Sequence, residues 1–479
     1  LKKIASICLV FFMVLSMFAG VALAAVEYSG DVDSDLAVLL IDADSGRVLF
    51  EQQADVQIKP ASTTKILTCL VAIEQSNLSD IVTVSSYAAK ASGGESKLGI
   101  RAGEEFVLRD ILTGMMLVSG NDAAKAVAEH VGETEEGFIA LMNELAEQIG
   151  MTQSHFANPH GKDDEEHYVT ARDMTLLAAY AMKNAAFMDI VGLESFRLPA
   201  TNMQKEREVV NFDFLVRSDS EFFYQYGNGM KTGSTPGAGG CVVSSATKEE
   251  QGSTTNLICV VFGDTSNGKT LRWSVVKDLF DFGFDNYVTL DVLTLVDMSE
   301  PISAHVENYA DNDIFDGLLE FQQPMPTQRY ITMDKETADI ITSGDDTIEI
   351  VETYNDPLPL QAPIYENDVV GSVLYQSKTT GAVILSGNLV ASRDVLDSSG
   401  GDGDFGDTAV ATMPPTVAEE IQIQEQEKKE RSNNILLILL VIPAGLVAFL
   451  VIRVISAKKH KRKRFTKRRK PRYSYKIRK

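Results

Sequence analysis

The chain has 479 residues, too many for one ordinary core, and its 44% hydrophobic and 23% charged residues are normal for a globular protein. The net charge of −23 conceals an asymmetry: from Arg453 onward there are fifteen Lys and Arg and no Asp or Glu, leaving 29 basic against 67 acidic residues, roughly −38, for everything before. Such a body repels phosphates, which argues against nucleic acid as a partner.

In chain order, Lys2 and Lys3 precede an apolar run from Ile4 to Phe18 and then Ala22-Leu23-Ala24, the three-part pattern of a secretory signal peptide cleaved after Ala24. Asp35 to Glu51 reads as a hairpin about the turn Asp44-Ser45-Gly46. Pro60-Ala61-Ser62 opens a helical stretch with Ile66, Leu70 and Ile73 on one face. Helices are expected over Leu108–Val118, Ala123–Val131, Phe138–Ile149 and Ala171–Lys183, the first two separated by Ser119-Gly120-Asn121-Asp122. Strand-like runs return at Cys241–Thr247 and Asn256–Gly263, and a helix over Leu271–Phe282 follows. Helices in the middle with strands from both ends imply an α/β sandwich whose sheet is assembled from non-adjacent segments.

Beyond about residue 289 the chain turns to short β-like stretches that end near Val395. Ser398 to Asp407 then reads as flexible linker. Ile435 to Ile452 is long and apolar enough to cross a bilayer, and the basic tail after it is cytoplasmic by the positive-inside rule. Cys69, Cys241 and Cys259 have no metal-ligand or CxxC spacing and read as small buried residues, a Cys241–Cys259 bridge being the alternative.

Three fragments carry chemistry. In Ser62-Thr63-Thr64-Lys65 the hydroxyl and the amine share a helix face, and a first-turn Ser lies in the positive field of the helix N-terminus. Lys65 acts as a base only when neutral, which needs burial or a nearby cation. The spacing is weak alone, since it recurs at Ser245/Lys248, Ser266/Lys269 and Ser274/Lys277. Ser119-Gly120-Asn121 lies in an interhelical turn, where a hydroxyl and an amide point into one cleft. Lys231-Thr232-Gly233 supplies a second lysine to depress the pKa of Lys65 and attract a carboxylate, with a glycine that lets a substrate approach a strand edge.

S-x-x-K, S-x-N and K-T-G in this order resemble the signature of penicillin-binding proteins and serine β-lactamases. PASTTKILT, LVSGNDAA, NPHG followed by HYVTARDM, and NGMKTGSTPGAGGCVVSSAT look like the D-alanyl-D-alanine carboxypeptidase branch, and LQAPIYENDVVGSVLY is similar to its second domain. The resemblance implies a penicillin-binding/serine β-lactamase-like α/β sandwich: an antiparallel sheet flanked by helices, an inserted helical region, and a small β-rich domain after it. It implies Ser62 as nucleophile, Lys65 as its general base and Ser119 as proton relay. Asn121, Lys231, Thr232, Gly233 and Ser234 then bind substrate, with the N–H groups of Ser62 and Ser234 as the oxyanion hole. Ser234 departs from the His or Tyr that relatives often carry, and Lys269 sits where some relatives have an Arg near the substrate carboxylate. Peptidoglycan stem peptides ending in D-Ala-D-Ala are the implied substrate and β-lactams the inhibitors, without a cofactor.

The organisation that follows is a signal peptide over 1–24, a catalytic domain over 25–288, a β-rich domain over 289–396 and a linker or stalk over 397–433. A transmembrane helix over 434–455 and a basic cytoplasmic tail over 456–479 complete it. The competing readings are a serine β-lactamase, which needs a carboxylate to steer water, and a non-catalytic wall-binding scaffold. A metal peptidase built on His155, His160 and His167 lacks metal-ligand spacing, and a solvated acidic loop accounts for that segment.

Overall fold

The computed structural model describes residues 26–398 except 91–93, 251, 300, 325, 327, 345 and 356. The expected signal peptide, membrane helix and basic tail, and the linker from residue 399 on, lie outside the described residues. Among the described residues no helix is long and apolar enough to cross a membrane.

The expected hairpin forms as β1 (Ala37–Asp42) and β2 (Val48–Gln52), turning at Asp42–Arg47. Asp42 closes the turn by accepting from the Ser45 N–H at 2.7 Å and the Ser45 hydroxyl at 2.8 Å. Three later strands, β3 (Gly227–Thr235), β4 (Gly239–Glu250) and β5 (Ser253–Asp264), complete an antiparallel sheet in the order β2-β1-β5-β4-β3. Strands from the two ends of this part therefore meet at the β1–β5 seam.

Every residue of β1 is buried because the sheet is covered on both faces. The pleat sends Ala37, Leu39 and Ile41 into a core shared with α1 (Lys65–Gln75), α2 (Leu108–Val118), α3 (Asn121–Gly132), α4 (Glu135–Ile149), α5 (Ala171–Met182) and α6 (Ala185–Val191). Val38 and Leu40 go to the other face, where α7 (Leu271–Asn286) packs Trp273, Val276 and Phe280 against Val242, Leu257 and Val261. Cys241 and Cys259 belong to opposite faces, and both are free thiols, as is Cys69. That geometry rules out the Cys241–Cys259 bridge.

A third core runs from Val292 to Val395. It contains the three-stranded sheet β8-β9-β10 (Ile348–Tyr354, Val369–Ser377, Val383–Val390). The pair β6 (Tyr287–Asp291) and β7 (Tyr330–Asp334) leads into it, with the short helices Val292–Leu295 and α8 (Lys335–Thr342). The turn of the first hairpin is its anchor. Thr289 donates its hydroxyl to Asp42 at 2.6 Å, and Arg47 donates to the Thr332 carbonyl at 2.7 Å.

Candidate active site

Pro60 leads into a single 3-10 turn, Ala61–Thr64, which feeds α1. Ala61 takes the left-handed conformation at φ 49°, uncommon for a residue with a Cβ, and so sets the direction of Ser62. Two glycines make room for this backbone. A Cβ on Gly233 would stand 2.6 Å from the Ser62 nitrogen, and one on Gly161 would stand 1.7 Å from the Ala61 carbonyl oxygen. The K-T-G glycine is thus required by the nucleophile's own main chain.

Lys65 is wholly buried, and its Nζ lies 3.0 Å from Ser62 Oγ, 2.7 Å from Asn121 Oδ1 and 2.6 Å from the His160 carbonyl oxygen. Burial lowers its pKa well below the usual lysine value, with the Lys231 charge adding and Asp122 and Glu95 opposing. The consequence for proton transfer is geometric. A neutral amine has two N–H bonds and one lone pair, while the Asn121 oxygen and the His160 carbonyl can only accept. They take both N–H bonds, so the lone pair is left facing the Ser62 hydroxyl.

Lys231 is buried on β3 and donates to the Thr232 carbonyl at 2.8 Å. Burial, helped by the Arg272 charge and opposed by Asp213, pushes its pKa down to about 8. Thr232 beside it is buried, whereas Ser234 is exposed at the strand end, where Lys269 Nζ hydrogen-bonds its hydroxyl. Ser119 ends α2 in the left-handed conformation, φ 60°, and is buried without a side-chain hydrogen bond to Lys65 or Lys231 among the described residues. Asn121 opens α3 after the single residue Gly120. A cleft of about 420 Å³ is lined by Ser62, Glu95, Asn121, Gly161, Lys162 and Ser234, among others. Lys65, Ser119, Lys231, Thr232 and Gly233 are not among its lining residues.

Sequence reasoning missed the groups that hold these parts in place. Asp122 is buried, and its carboxylate accepts from the N–H groups of Leu98 at 2.8 Å, Gly99 at 2.8 Å, Ile100 at 3.2 Å and Ala123 at 2.9 Å. It clamps the Ser119–Asn121 turn to the rim of the cleft. Asn158 Oδ1 accepts from the N–H groups of His160, Gly161 and Lys162, a side-chain-built turn that aims the His160 carbonyl at Lys65. A short Asx-type signal, Asn158-Pro159, was available for it. Arg272 in the first turn of α7 is buried and ion-paired with the buried Asp264 at 3.9 Å, and its NH1 lies where a Cβ on Gly240, the β4 partner of Ser234, would be. Its charge lies beside the K-T-G strand and helps to lower the Lys231 pKa, with Asp264 as its own counter-ion.

One expectation needs correction. The segment with His155, His160 and His167 is exposed at Lys162, Asp164, Glu165 and Glu166, whereas His160 and His167 are buried. Burial pushes His160 down to about 2 and His167 down to about 4, so both rings are neutral. Among the described residues no His, Cys, Asp and Glu group has metal-holding geometry.

Comparison with known proteins decides the family. The model of the peptidase S11 family, the D-alanyl-D-alanine carboxypeptidases, matches residues 23–266. The chain belongs to that family. It is 29% identical over 405 residues to the D-alanyl-D-alanine carboxypeptidase DacF of Bacillus subtilis, covering 82% of this chain and 95% of that protein. It is 30% identical over 366 residues to the DacA enzyme of Haemophilus influenzae, covering 74% and 84%. Among solved structures, penicillin binding protein 5 of Haemophilus influenzae superposes with a TM-score of 0.61 at 27% identity, over 78% of this chain and all of that one. The fold and the D-alanyl-D-alanine carboxypeptidase activity implied by the three motifs are therefore borne out.

Proposed function

We propose that this carboxypeptidase works by acyl transfer through Ser62. The observation that carries the assignment is the position of Lys65 Nζ, 3.0 Å from Ser62 Oγ with its two N–H bonds already committed. Ser62 Oγ adds to the carbonyl carbon between the two terminal D-alanines of a peptidoglycan stem peptide while its proton passes to Lys65. The Ser62 and Ser234 N–H groups hold the oxyanion, where loss of one donor costs about 3–4 kcal/mol. The C–N bond breaks, Ser119 passes a proton to the departing D-alanine amine, and water cleaves the ester. Asn121 holds the substrate amide, while Lys231 and Thr232 receive the terminal carboxylate. β-Lactams acylate the same oxygen.

The reading extends to placement. A signal peptide removed after Ala24, a single span within 434–455 and a cytoplasmic tail set the catalytic part outside the cell membrane, where the wall substrate is. Support comes from the run Ile435–Ile452 and the fifteen basic residues from Arg453 onward. The test is intact-mass analysis of the full chain after exposure to penicillin. One adduct is expected on the parent and none on Ser62→Ala; an adduct surviving in Ser62→Ala would overturn the assignment.

A further inference from the structure

The residue before the nucleophile is held by a hydrogen-bonded chain that begins outside the cleft. Ala61 needs its left-handed conformation to turn Ser62 toward Lys65, and its carbonyl accepts from the Thr64 hydroxyl at 2.8 Å. Thr64 Oγ1 in turn lies 2.8 Å from His167 Nε2. The other ring nitrogen settles the direction of that bond. His167 Nδ1 accepts from the Ala157 N–H at 2.9 Å, so the proton of the neutral ring is on Nε2 and is donated to Thr64. With its acceptor capacity met by His167, the Thr64 hydroxyl has its proton free for Ala61. The ring is 1% exposed and stands edge-on to Phe156, at 5.6 Å and 88°. Burial keeps it neutral, with His155 and Lys65 acting in the same direction and Asp164 and Asp163 against it.

We infer that His167 is a positioning residue for the acylation step, acting through Thr64 on the Ala61 carbonyl to hold Ser62 Oγ against Lys65. His167 does not line the cleft and touches no reacting atom. Thr64 is the unassigned third position of S-x-x-K, and the chain gives its hydroxyl a task that valine, the same shape, cannot perform. The inference rests on Ser62 being the nucleophile, which the penicillin adduct on the parent establishes separately.

The experiment is stopped-flow acylation of the full chain by a fluorescent penicillin, which separates the encounter constant from the acylation rate constant. Thr64→Val and His167→Phe are each expected to lower the rate constant roughly 10- to 100-fold, the range that follows from displacing a nucleophile by up to about 1 Å. The encounter constant stays near that of the parent, while the melting temperature falls because a buried polar group loses its partner. Thr64→Ser, which keeps the hydroxyl, retains the rate to within about threefold. The double variant is no slower than the slower single one, since both break one chain. Folded Thr64→Val acylating within twofold of the parent would sink the inference, as would losses that multiply in the double variant. If His167→Phe does not fold, the Thr64→Val and Thr64→Ser pair decides alone.

Discussion

Replacing Gly161 with alanine tests the site's geometry most directly. The new Cβ would fall 1.7 Å from the Ala61 carbonyl oxygen and 2.9 Å from the Ser62 nitrogen, where real contacts do not come closer than 3.0 Å. Something must therefore move by more than 1 Å. If Ala61 moves, it carries Ser62 with it. If the 158–162 turn moves, it takes away the His160 carbonyl that orients Lys65 at 2.6 Å. Either displacement spoils the Ser62–Lys65 approach, and a misplacement of about 1 Å costs roughly 100-fold in rate. Gly161 also has φ 87°, so the substitution adds backbone strain of about 1 kcal/mol. Gly150→Ala separates the two effects, because Gly150 has φ 93° with nothing within 4 Å of the added carbon. Measured as the acylation rate with fluorescent penicillin, Gly161→Ala should lose about 100-fold and Gly150→Ala should stay within twofold. Folded Gly161→Ala acylating within about threefold of the parent would refute the close-approach reasoning.

Two further outcomes are expected. In Lys231→Met the cation that helps to depress Lys65 is gone, so the Lys65 pKa rises. Because the reactive form is the neutral amine, gained as pH rises, the acid limb of the acylation rate should move to higher pH; an unmoved limb in the pH–rate profile would count against Lys65 as the base. Asp122→Asn keeps the shape but replaces one of two oxygens that each accept two N–H bonds. Two backbone donors then face an NH2 group, a loss of about 2–4 kcal/mol in urea unfolding together with slower acylation. Stability within about 0.5 kcal/mol of the parent would show that the clamp contributes little.

The legible parts of the site were those written as short contiguous motifs. Ser62 and Lys65 are one helical turn apart, and Ser119 with Asn121 brackets a turn, so spacing alone indicates shared direction. The helix Leu108–Val118 has the expected bounds, since its apolar period runs to both ends. Other elements begin earlier than the apolar period does: α3 starts at Asn121, and α4 at Glu135, where the Thr134 hydroxyl caps the helix by accepting from Gly137 N at 3.0 Å. Strands β4 and β5 run on past the apolar alternation into Lys248–Glu250 and Ser253–Asn256, held by pairing between polar residues. His167 was illegible because four acidic residues beside it dominate the local composition, while its burial comes from Thr64, 103 positions away. Arg272 was hidden for a similar reason: what distinguishes it is its burial beside Gly240 and Asp264, which are 32 and 8 positions away and carry no local pattern.

The division of the sheet into two covered faces also sets how the protein meets oxidants and alkylating agents. Cys69 and Cys241 lie under the helical layer and Cys259 under α7, all three at 0% exposure, with burial pushing each thiol up and away from its reactive thiolate. In the native fold the three sulfhydryls are thus kept from cross-linking to one another. A maleimide would find them only when a layer lifts off the strands, which makes thiol capture a built-in clock for opening of the catalytic fold.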